Sequence, residues 1–171
     1  MQECISQGLP QDQSDLVIGI NHTMMEILII RHPRERVSKC TLQPLREREG
    51  FRFLKGRRGL QVDVTGYLLL STEAPVLRAA DAGHPLLLLD STWHLLPDLR
   101  ACLVGTPIPR SLPETLRTAY PRRSKLHGDD PENGLASIEA LYAALRLLGH
   151  RDDSLLGQYP WAEEFLAQFE E

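Results

Sequence analysis

The sequence places a carboxylate, two hydroxyl groups and an indole in direct succession after an apolar run. The segment Asp90–Trp93 reads Asp-Ser-Thr-Trp and follows four consecutive leucines. So short a leucine run, preceded by Gly83 and Pro85, is typical of a strand buried on both faces of a parallel sheet. Open α/β sheets bind ligands at the carboxyl ends of their strands, so Asp90 is a candidate functional residue. The alternative is that Asp90 caps the next helix through a side-chain oxygen.

Positive charge is concentrated in the first half of the chain, although the net charge is −4. Residues 31–58 contain ten Lys and Arg residues against three Glu, and residues 128–171 contain ten acidic residues against two Arg. A second basic cluster comprises Arg110, Arg117, Arg122, Arg123 and Lys125. Such a basic face suits a phosphate backbone, and an ordinary solvated surface is the alternative.

Two aromatic residues lie within the first basic segment. Phe51 and Phe53 alternate with cationic residues and precede Arg57 and Arg58. Aromatic rings beside cations suit stacking on RNA bases, and packing in the core is the favoured alternative.

Alternating apolar runs and helical periodicities predict an α/β fold, a single domain with a mostly parallel sheet. The predicted strands are Met24–Ile30, Gly50–Lys55, Gly66–Ser71 and the leucine run before Asp90. The predicted helices are Glu73–Ala82, Leu95–Leu103, Ala136–Leu148 with Asn133 as its cap, and Ser154–Glu170, with one or two helical turns over Thr115–Tyr120. Three prolines in Thr106–Pro113 exclude a regular central strand there.

Length and composition indicate one compact domain over residues 23–171, preceded by a flexible polar arm over residues 1–22. No apolar run suits a membrane span and no signal peptide is evident, so no membrane partner and a cytoplasmic location are expected. The three cysteines and six histidines are scattered without metal-ligand spacing, so no metal site is predicted. The common glycine-rich nucleotide-binding loops and the nucleophile elbow are also missing.

A series of short motifs, in a fixed order, resembles one known family. The motifs are Arg31-His32-Pro33, Ser38-Lys39-Cys40-Thr41, Leu69-Leu70-Ser71, Val76–Asp81, Asp90–Trp93, Arg110-Ser111-Leu112-Pro113, Ala119-Tyr120-Pro121, Ser137–Leu141, Leu155-Leu156 and Trp161–Phe165. Over residues 28–169 their order is similar to that in the SPOUT-class ribosomal-RNA aminocarboxypropyltransferases. Asp90–Trp93 also resembles the signature of the related DTW-domain tRNA-uridine aminocarboxypropyltransferases. The chain departs from the family at Thr72, at Tyr120 and in the longer segment Arg122–Asn133.

The resemblance implies a SPOUT-like fold with a C-terminal trefoil knot. Residues 23–65 would form a basic part, and residues 66–171 a part that binds S-adenosylmethionine. The implied reaction moves the 3-amino-3-carboxypropyl group of that cofactor to N3 of a uridine or pseudouridine in small-subunit rRNA. The alternatives are a tRNA uridine as target, methyl transfer from the same pocket, and a non-catalytic RNA-binding or ribosome-assembly module. A monomer is expected.

The resemblance also implies roles for individual residues. The implied cofactor-binding residues are Thr41, Leu70, Ser71, Thr72, Asp90, Trp93, Leu96, Leu112 and Ser137. Among them, Trp93 and Leu96 would cover the methyl group, and Thr41 and Ser137 would donate to the methionine carboxylate. Asp90 is the implied catalytic residue, as a positioning group first and a general base second.

The basic residues supply the candidate RNA contacts. They are Lys39, Arg46, Arg48, Arg52, Lys55, Arg57, Arg58, Arg122, Arg123 and Lys125. Together with the family resemblance, they make RNA the expected partner.

Overall fold

The chain folds around a five-stranded parallel sheet in the computed structural model, which describes residues 25–121, 131 and 134–170. The strands are β1 (Ile27–Arg31), β2 (Phe51–Lys55), β3 (Val62–Asp63), β4 (Leu68–Leu70), β5 (Leu86–Asp90), β6 (Leu103–Val104) and β7 (Ile108–Arg110). The helices are α1 (Leu96–Arg100), α2 (Ser137–Leu147) and α3 (Ala162–Leu166). The large sheet has the order β2-β1-β5-β4-β7, and β3 pairs with β6 in a separate parallel sheet. The prediction of an α/β domain with a mostly parallel sheet is confirmed.

β5 lies at the centre of the large sheet because its leucines are buried on both faces. Leu86 and Leu87 are fully buried, and Leu88 is nearly so. β5 pairs in parallel with β1 on one side and with β4 on the other. The register with β1 places Arg31 directly beside Asp90 at the carboxyl ends of the two strands.

Successive side chains of β1 point to opposite faces of the sheet, and each face is covered by its own hydrophobic layer. Ile27 and Ile29 pack in the larger core with α2, whereas Leu28 and Ile30 pack in a smaller core with Leu99 of α1. α2 fits this position because its apolar residues recur at helical spacing, including the fully buried Leu141. The predicted helix over Ala136–Leu148 is confirmed, and its predicted cap, Asn133, lies outside the described residues.

The prediction of a helix over Glu73–Ala82 is wrong. The chain there is extended, with one bridge between Val76 and Ser111, and only Ala79–Asp81 forms a 3-10 turn. Leu77 donates from its backbone to the Ser111 carbonyl, which satisfies the backbone from outside the segment. Pairing with the chain after β7 therefore prevails over local helix propensity.

The predicted helix over Ser154–Glu170 is broken into three pieces. Asp153–Leu156 and Ala167–Phe169 are 3-10 turns, and only α3 between them is an α-helix. Gly157 and Pro160 interrupt the segment before α3, because neither residue supports a continuous helix. The aromatic residues instead form edge-to-face contacts with each other, for example between Tyr142 and Phe165.

Two other predicted helices differ in extent. Leu95–Leu103 contains only α1, which follows a 3-10 turn over Trp93–Leu95, and its last residue belongs to β6. Thr115–Tyr120 is not helical. The segment Thr106–Pro113 does contain β7, but this strand is at the edge of the sheet, which is the position that Pro109 allows.

Residues 1–22 and most of the charged segment Arg122–Asn133 lie outside the described residues. No helix within residues 25–121 and 134–170 is both long enough and apolar enough to cross a membrane.

Candidate cofactor cleft

A cleft opens at the carboxyl ends of β4, β5 and β7. Its lining comes from four parts of the chain. The lining residues are Leu70, Ser71, Thr72, Leu88, Leu89, Ser91, Trp93, Leu96, Arg100, Ser111, Leu112, Pro113, Gly134, Leu135, Ser137 and Ala140. The location is the one at which open α/β sheets bind ligands.

The structure brings together seven of the nine residues that the resemblance implies for the cofactor. Leu70, Ser71, Thr72, Trp93, Leu96, Leu112 and Ser137 all line the cleft. Their neighbours on its wall are mostly apolar, and Trp93 and Leu96 are each half-buried. The cleft therefore offers an apolar wall of the kind that could shield a methyl group.

Thr41 and Asp90 are not among the cleft-lining residues. Thr41 is half-buried and follows Cys40, whose thiol contacts Asp90. Asp90 is 6% exposed and lies behind the wall that its neighbours Leu89 and Ser91 form.

Three donors bind the Asp90 carboxylate. Arg31 donates from Nε to Oδ2 at 2.9 Å, and the Cys40 thiol donates to the same oxygen at 3.1 Å. Ser137 donates from Oγ to Oδ1 at 2.8 Å. Asp90 does not cap the following 3-10 turn, because Thr92 occupies the cap position. The helix-cap alternative for Asp90 is therefore wrong.

The environment of Cys40 keeps its thiol protonated. Burial, together with the charge of Asp90 and a hydrogen bond to it, raises the pKa of Cys40 to about 12. The protonated thiol is a donor, which matches its direction toward Asp90. Cys40 is therefore a structural donor rather than a nucleophile.

The first turn of α2 lies beside the cleft and is fixed by a second carboxylate. Glu139 is fully buried and accepts from the backbone N–H of Ala136 at 2.8 Å. It also accepts from Thr118 Oγ1 at 2.6 Å, from the Ala119 N–H at 2.8 Å and from the Tyr159 hydroxyl at 2.8 Å. Burial and the neighbouring carboxylate raise the pKa of Tyr159, so the phenol remains a donor. Glu139 thus joins three segments of the chain at the start of α2.

An ion pair stabilises the part of the cleft wall that follows β7. Arg110, at the end of β7, donates to Asp81 through Nε at 3.0 Å and through Nη2 at 2.7 Å. Asp81 also accepts from the Arg78 backbone N–H, and these bonds together lower the pKa of Asp81. The pair connects the 75–82 segment to β7, directly before the lining residues Ser111 and Leu112.

The predicted RNA-binding residues divide between the two ends of β2. Arg48 binds Asp152 and Ser154, and Arg52 forms an ion pair with Glu26 at 3.5 Å. Exposed Lys55, Arg57 and Arg58 lie at or just after the carboxyl end of β2. Because the strands are parallel, the carboxyl end of β2 lies on the same side of the sheet as the carboxyl ends of the strands that form the cleft.

The structure says less about the position of the remaining basic candidates relative to the cleft. Arg46 is exposed, and Lys39 is in the 3-10 turn Val37–Lys39. Arg122, Arg123 and Lys125 lie outside the described residues.

A groove beside β1 and β2 holds further positive charge. Arg34, Arg57 and Arg58 line it together with the buried His32. His32 accepts at Nδ1 from the Arg34 N–H at 3.2 Å, so the Nε2 that faces Asp98 at 3.3 Å bears the ring proton. His32 thereby connects the Arg34 turn to α1.

The sequence interpretation overlooked Arg31, Cys40 and Glu139 as individual residues of the site. All three lie in the motifs of the resemblance, but no role was inferred for them. A signal for Arg31 was present, because both Arg31 and Asp90 end an apolar strand and the ends of parallel strands meet at one edge. No comparable signal identifies Glu139, because its partners are distant in sequence.

Comparison with known proteins gives one informative similarity. No protein-family model matches the chain, and no curated protein sequence matches it. Among solved structures, the chain is similar to the SAM-dependent rRNA:acp-transferase Tsr3 from Vulcanisaeta distributa, with 26% sequence identity and a TM-score of 0.64. The similarity covers 85% of this chain and 78% of that protein's chain.

Proposed function

We propose that the protein is an enzyme that uses S-adenosylmethionine to transfer an aminocarboxypropyl group to ribosomal RNA. The observation that carries the proposal is the similarity to Tsr3, an rRNA:acp-transferase, over most of both chains. The cleft supports it independently, because seven residues that the motif order implies for the cofactor lie around one opening.

The cleft residues fit the parts of S-adenosylmethionine. Apolar groups of Leu70, Leu89 and Leu112 suit the adenosine portion, with backbone groups available after β4 and β7. The first-turn N–H groups of α2, an 11-residue helix, have no partners within the helix, and its amino end is the positive end of the helix dipole. The start of α2 therefore suits the methionine carboxylate.

Choice of the transferred group is the chemical task of the site. When bound, S-adenosylmethionine supplies three electrophilic carbons around its sulfonium, of which only an exposed and aligned one reacts. The indole of Trp93 can cover the methyl group and also stabilise the adjacent positive charge. Leu96 extends the same wall, so a cofactor bound with its methyl group against this wall would turn its aminocarboxypropyl carbon toward the RNA.

The distribution of basic residues supports an RNA substrate at the same edge. Lys55, Arg57 and Arg58 are exposed at the carboxyl edge, whereas Arg48 and Arg52 pair with acidic side chains. RNA bound along this edge would bring a base toward the cleft while the arginines contact its phosphates. The proposed RNA path therefore crosses the carboxyl ends of the parallel strands, from β2 to β5.

The finer parts of the proposal rest on the motif resemblance. They are transfer to N3 of a uridine or pseudouridine in the small subunit, a SPOUT-like fold with a C-terminal knot, a relation to the DTW-domain enzymes, a monomeric state and a cytoplasmic location. The site residues Thr41 and Asp90 belong with these proposals, since neither lines the cleft.

The reaction is tested with two samples of the cofactor that are labelled at different positions. Purified protein is incubated with small-subunit rRNA lacking the modification and with S-adenosylmethionine labelled in its methyl group or in its carboxyl carbon. Carboxyl label in the RNA without methyl label is expected. Methyl label would show a methyltransferase, and RNA binding without either label would favour a non-catalytic module.

Trp93 gives the matched test of the cleft. We expect Trp93→Ala to weaken S-adenosylmethionine binding about tenfold, as measured by calorimetry. Trp161→Ala is the control, because Trp161 packs against Tyr120 and Tyr159 outside the cleft. Equal affinity of the Trp93 variant and the wild type would contradict the assignment of the cleft.

Charge reversal tests the RNA path. Replacing both Arg57 and Arg58 by Glu should weaken RNA binding and leave cofactor affinity unchanged. Arg52→Glu is the control, because Arg52 pairs with Glu26 away from the carboxyl edge. A larger effect of the control would place the RNA elsewhere.

A further inference from the structure

We propose that Arg31, Asp90 and Ser137 form a hydrogen-bonded chain that presents the Ser137 oxygen to the cleft as the acceptor for the cofactor's amino group. The inference rests on the proposed function, because it assigns a ligand group to the same cleft. It goes beyond that function because it names Arg31 as a positioning residue and states that Ser137 accepts a hydrogen bond from the cofactor instead of donating one.

The guanidinium of Arg31 is held from several sides. Its Nε donates to Asp90 at 2.9 Å, its Nη1 to Gln43 Oε1 at 3.0 Å and its Nη2 to Cys40 Sγ at 2.8 Å. Its central carbon also lies 5.6 Å from the centre of the Phe53 ring. Arg31 is only 8% exposed, so these contacts are little disturbed by water. The guanidinium thus has one defined position from which to orient Asp90.

The two oxygens of Asp90 have different partners. Oδ2 accepts from Arg31 and from the protonated Cys40 thiol, and Oδ1 accepts from Ser137. The carboxylate does not line the cleft, although Leu89 and Ser91 on either side of it do. Asp90 therefore acts on the cleft through Ser137, which is a positioning role and not that of a general base.

The proton of the Ser137 hydroxyl is already used. Its Oγ donates to Asp90 Oδ1 at 2.8 Å, and a hydroxyl has only one proton to donate. Ser137 lines the cleft, so its remaining lone pairs are available to a donor there. The cofactor's amino group is a cation with three donors, whereas its carboxylate has none.

The amino group and the carboxylate of the cofactor's methionine portion thus have different binding partners. The negative charge of Asp90, one hydrogen bond away, makes the Ser137 oxygen a better acceptor for a cation. Backbone N–H groups in the first turn of α2 remain for the carboxylate. The expected role of Ser137 as a donor to the carboxylate thus passes to the backbone, and the side chain binds the amino group.

The test compares S-adenosylmethionine with two of its analogues, one lacking the amino group and one lacking the carboxylate. Calorimetry measures each with the wild type, Ser137→Ala and Arg31→Lys. For the wild type, loss of the amino group should weaken binding on the order of tenfold. For Ser137→Ala this loss should fall to about twofold or less, with an intermediate value for Arg31→Lys.

Two controls separate this role from a general loss of structure. The penalty for losing the carboxylate should stay the same in all three proteins. Leu28→Ala lowers stability from the opposite face of the sheet, and it should leave both analogue ratios unchanged. A merely structural role of Arg31 would not change one ratio selectively.

The outcomes identify which proposal fails. If the wild type does not bind S-adenosylmethionine, the proposed function fails, and this inference fails with it. If the wild type binds it but Ser137→Ala leaves the amino-group penalty at tenfold, this inference alone is wrong. A selective change in the carboxylate penalty would return Ser137 to the donor role.

Discussion

Asp90 and Glu139 are both buried carboxylates beside the first turn of α2, yet they are stabilised in different ways. Asp90 pairs with a guanidinium and with two neutral donors. Glu139 accepts four hydrogen bonds from uncharged donors, two of them backbone N–H groups. The comparison shows that burial and a full set of donors do not by themselves mark a functional carboxylate. Of the two, only Asp90 binds a side chain that lines the cleft.

The largest expected effect comes from removing Glu139. Glu139→Ala leaves four donors without their acceptor, and we expect it to lower the free energy of unfolding by about 4 kcal/mol. Urea denaturation measures the loss. Tyr159→Phe removes one of the four bonds and should cost about 1 kcal/mol. A loss for Glu139→Ala as small as that for Tyr159→Phe would contradict the role of Glu139 in joining three segments.

Loss of Arg31 should cost somewhat less and should be recoverable. Arg31→Met leaves Asp90 as a buried, unpaired charge, so we expect a loss of about 3 kcal/mol. The double variant Arg31→Met/Asp90→Leu removes both charges and should regain most of that loss. No such compensation exists for Glu139, since its donors include the backbone. If the double variant is no more stable than Arg31→Met, Asp90 and Glu139 do not differ in the way described.

The third prediction concerns the second donor on Asp90 Oδ2. Cys40→Ala should cost about 1 kcal/mol at pH 7. The folded-state pKa of Cys40 is raised from 9.0 to about 12, so its contribution is full below pH 9 and declines as pH rises toward 12. The stability difference between the wild type and Cys40→Ala should therefore shrink over that interval. Denaturation at several alkaline pH values checks this, and a constant difference would contradict it.

The smallest expected effect comes from the solvent-accessible pair of Arg110 and Asp81. Arg110→Met should cost less than any of the changes above, because water and salt screen the pair. The pKa of Asp81 is lowered in the folded state, so its stabilisation is present above the unfolded pKa near 3.8 and is lost as pH falls through the lower folded-state pKa. Denaturation at pH 7 and at pH 3 should show a smaller cost at the lower pH. A cost equal to that of Arg31→Met would mean that burial does not separate the two pairs.

The sequence predicted the elements whose signals are local. β5 follows from an unbroken leucine run, and α2 follows from apolar residues at helical spacing. The order of the motifs predicted seven residues that line the cleft, but it also included Thr41 and Asp90, which do not line it. The prolines of Thr106–Pro113 correctly excluded a central strand, but they did not predict the edge strand β7.

The sequence did not predict the features that depend on distant partners. The segment over Glu73–Ala82 is extended because it pairs with Ser111. The C-terminal segment is broken because Gly157 and Pro160 outweigh its amphipathic pattern. The partners of Asp90 come from positions 59, 50 and 47 residues away, and these are set by strand register and not by motif spacing.

The separation of these partners has a consequence for the order of folding. Arg31 reaches Asp90 only after β1 has paired with β5, and Ser137 reaches it only after α2 has packed on the sheet. Contacts of such long range form slowly, because each one closes a large loop of chain. During synthesis the ribosome must release most of the chain before the site can assemble. We therefore expect the ability to bind the cofactor to be acquired last, as a property of the completed domain.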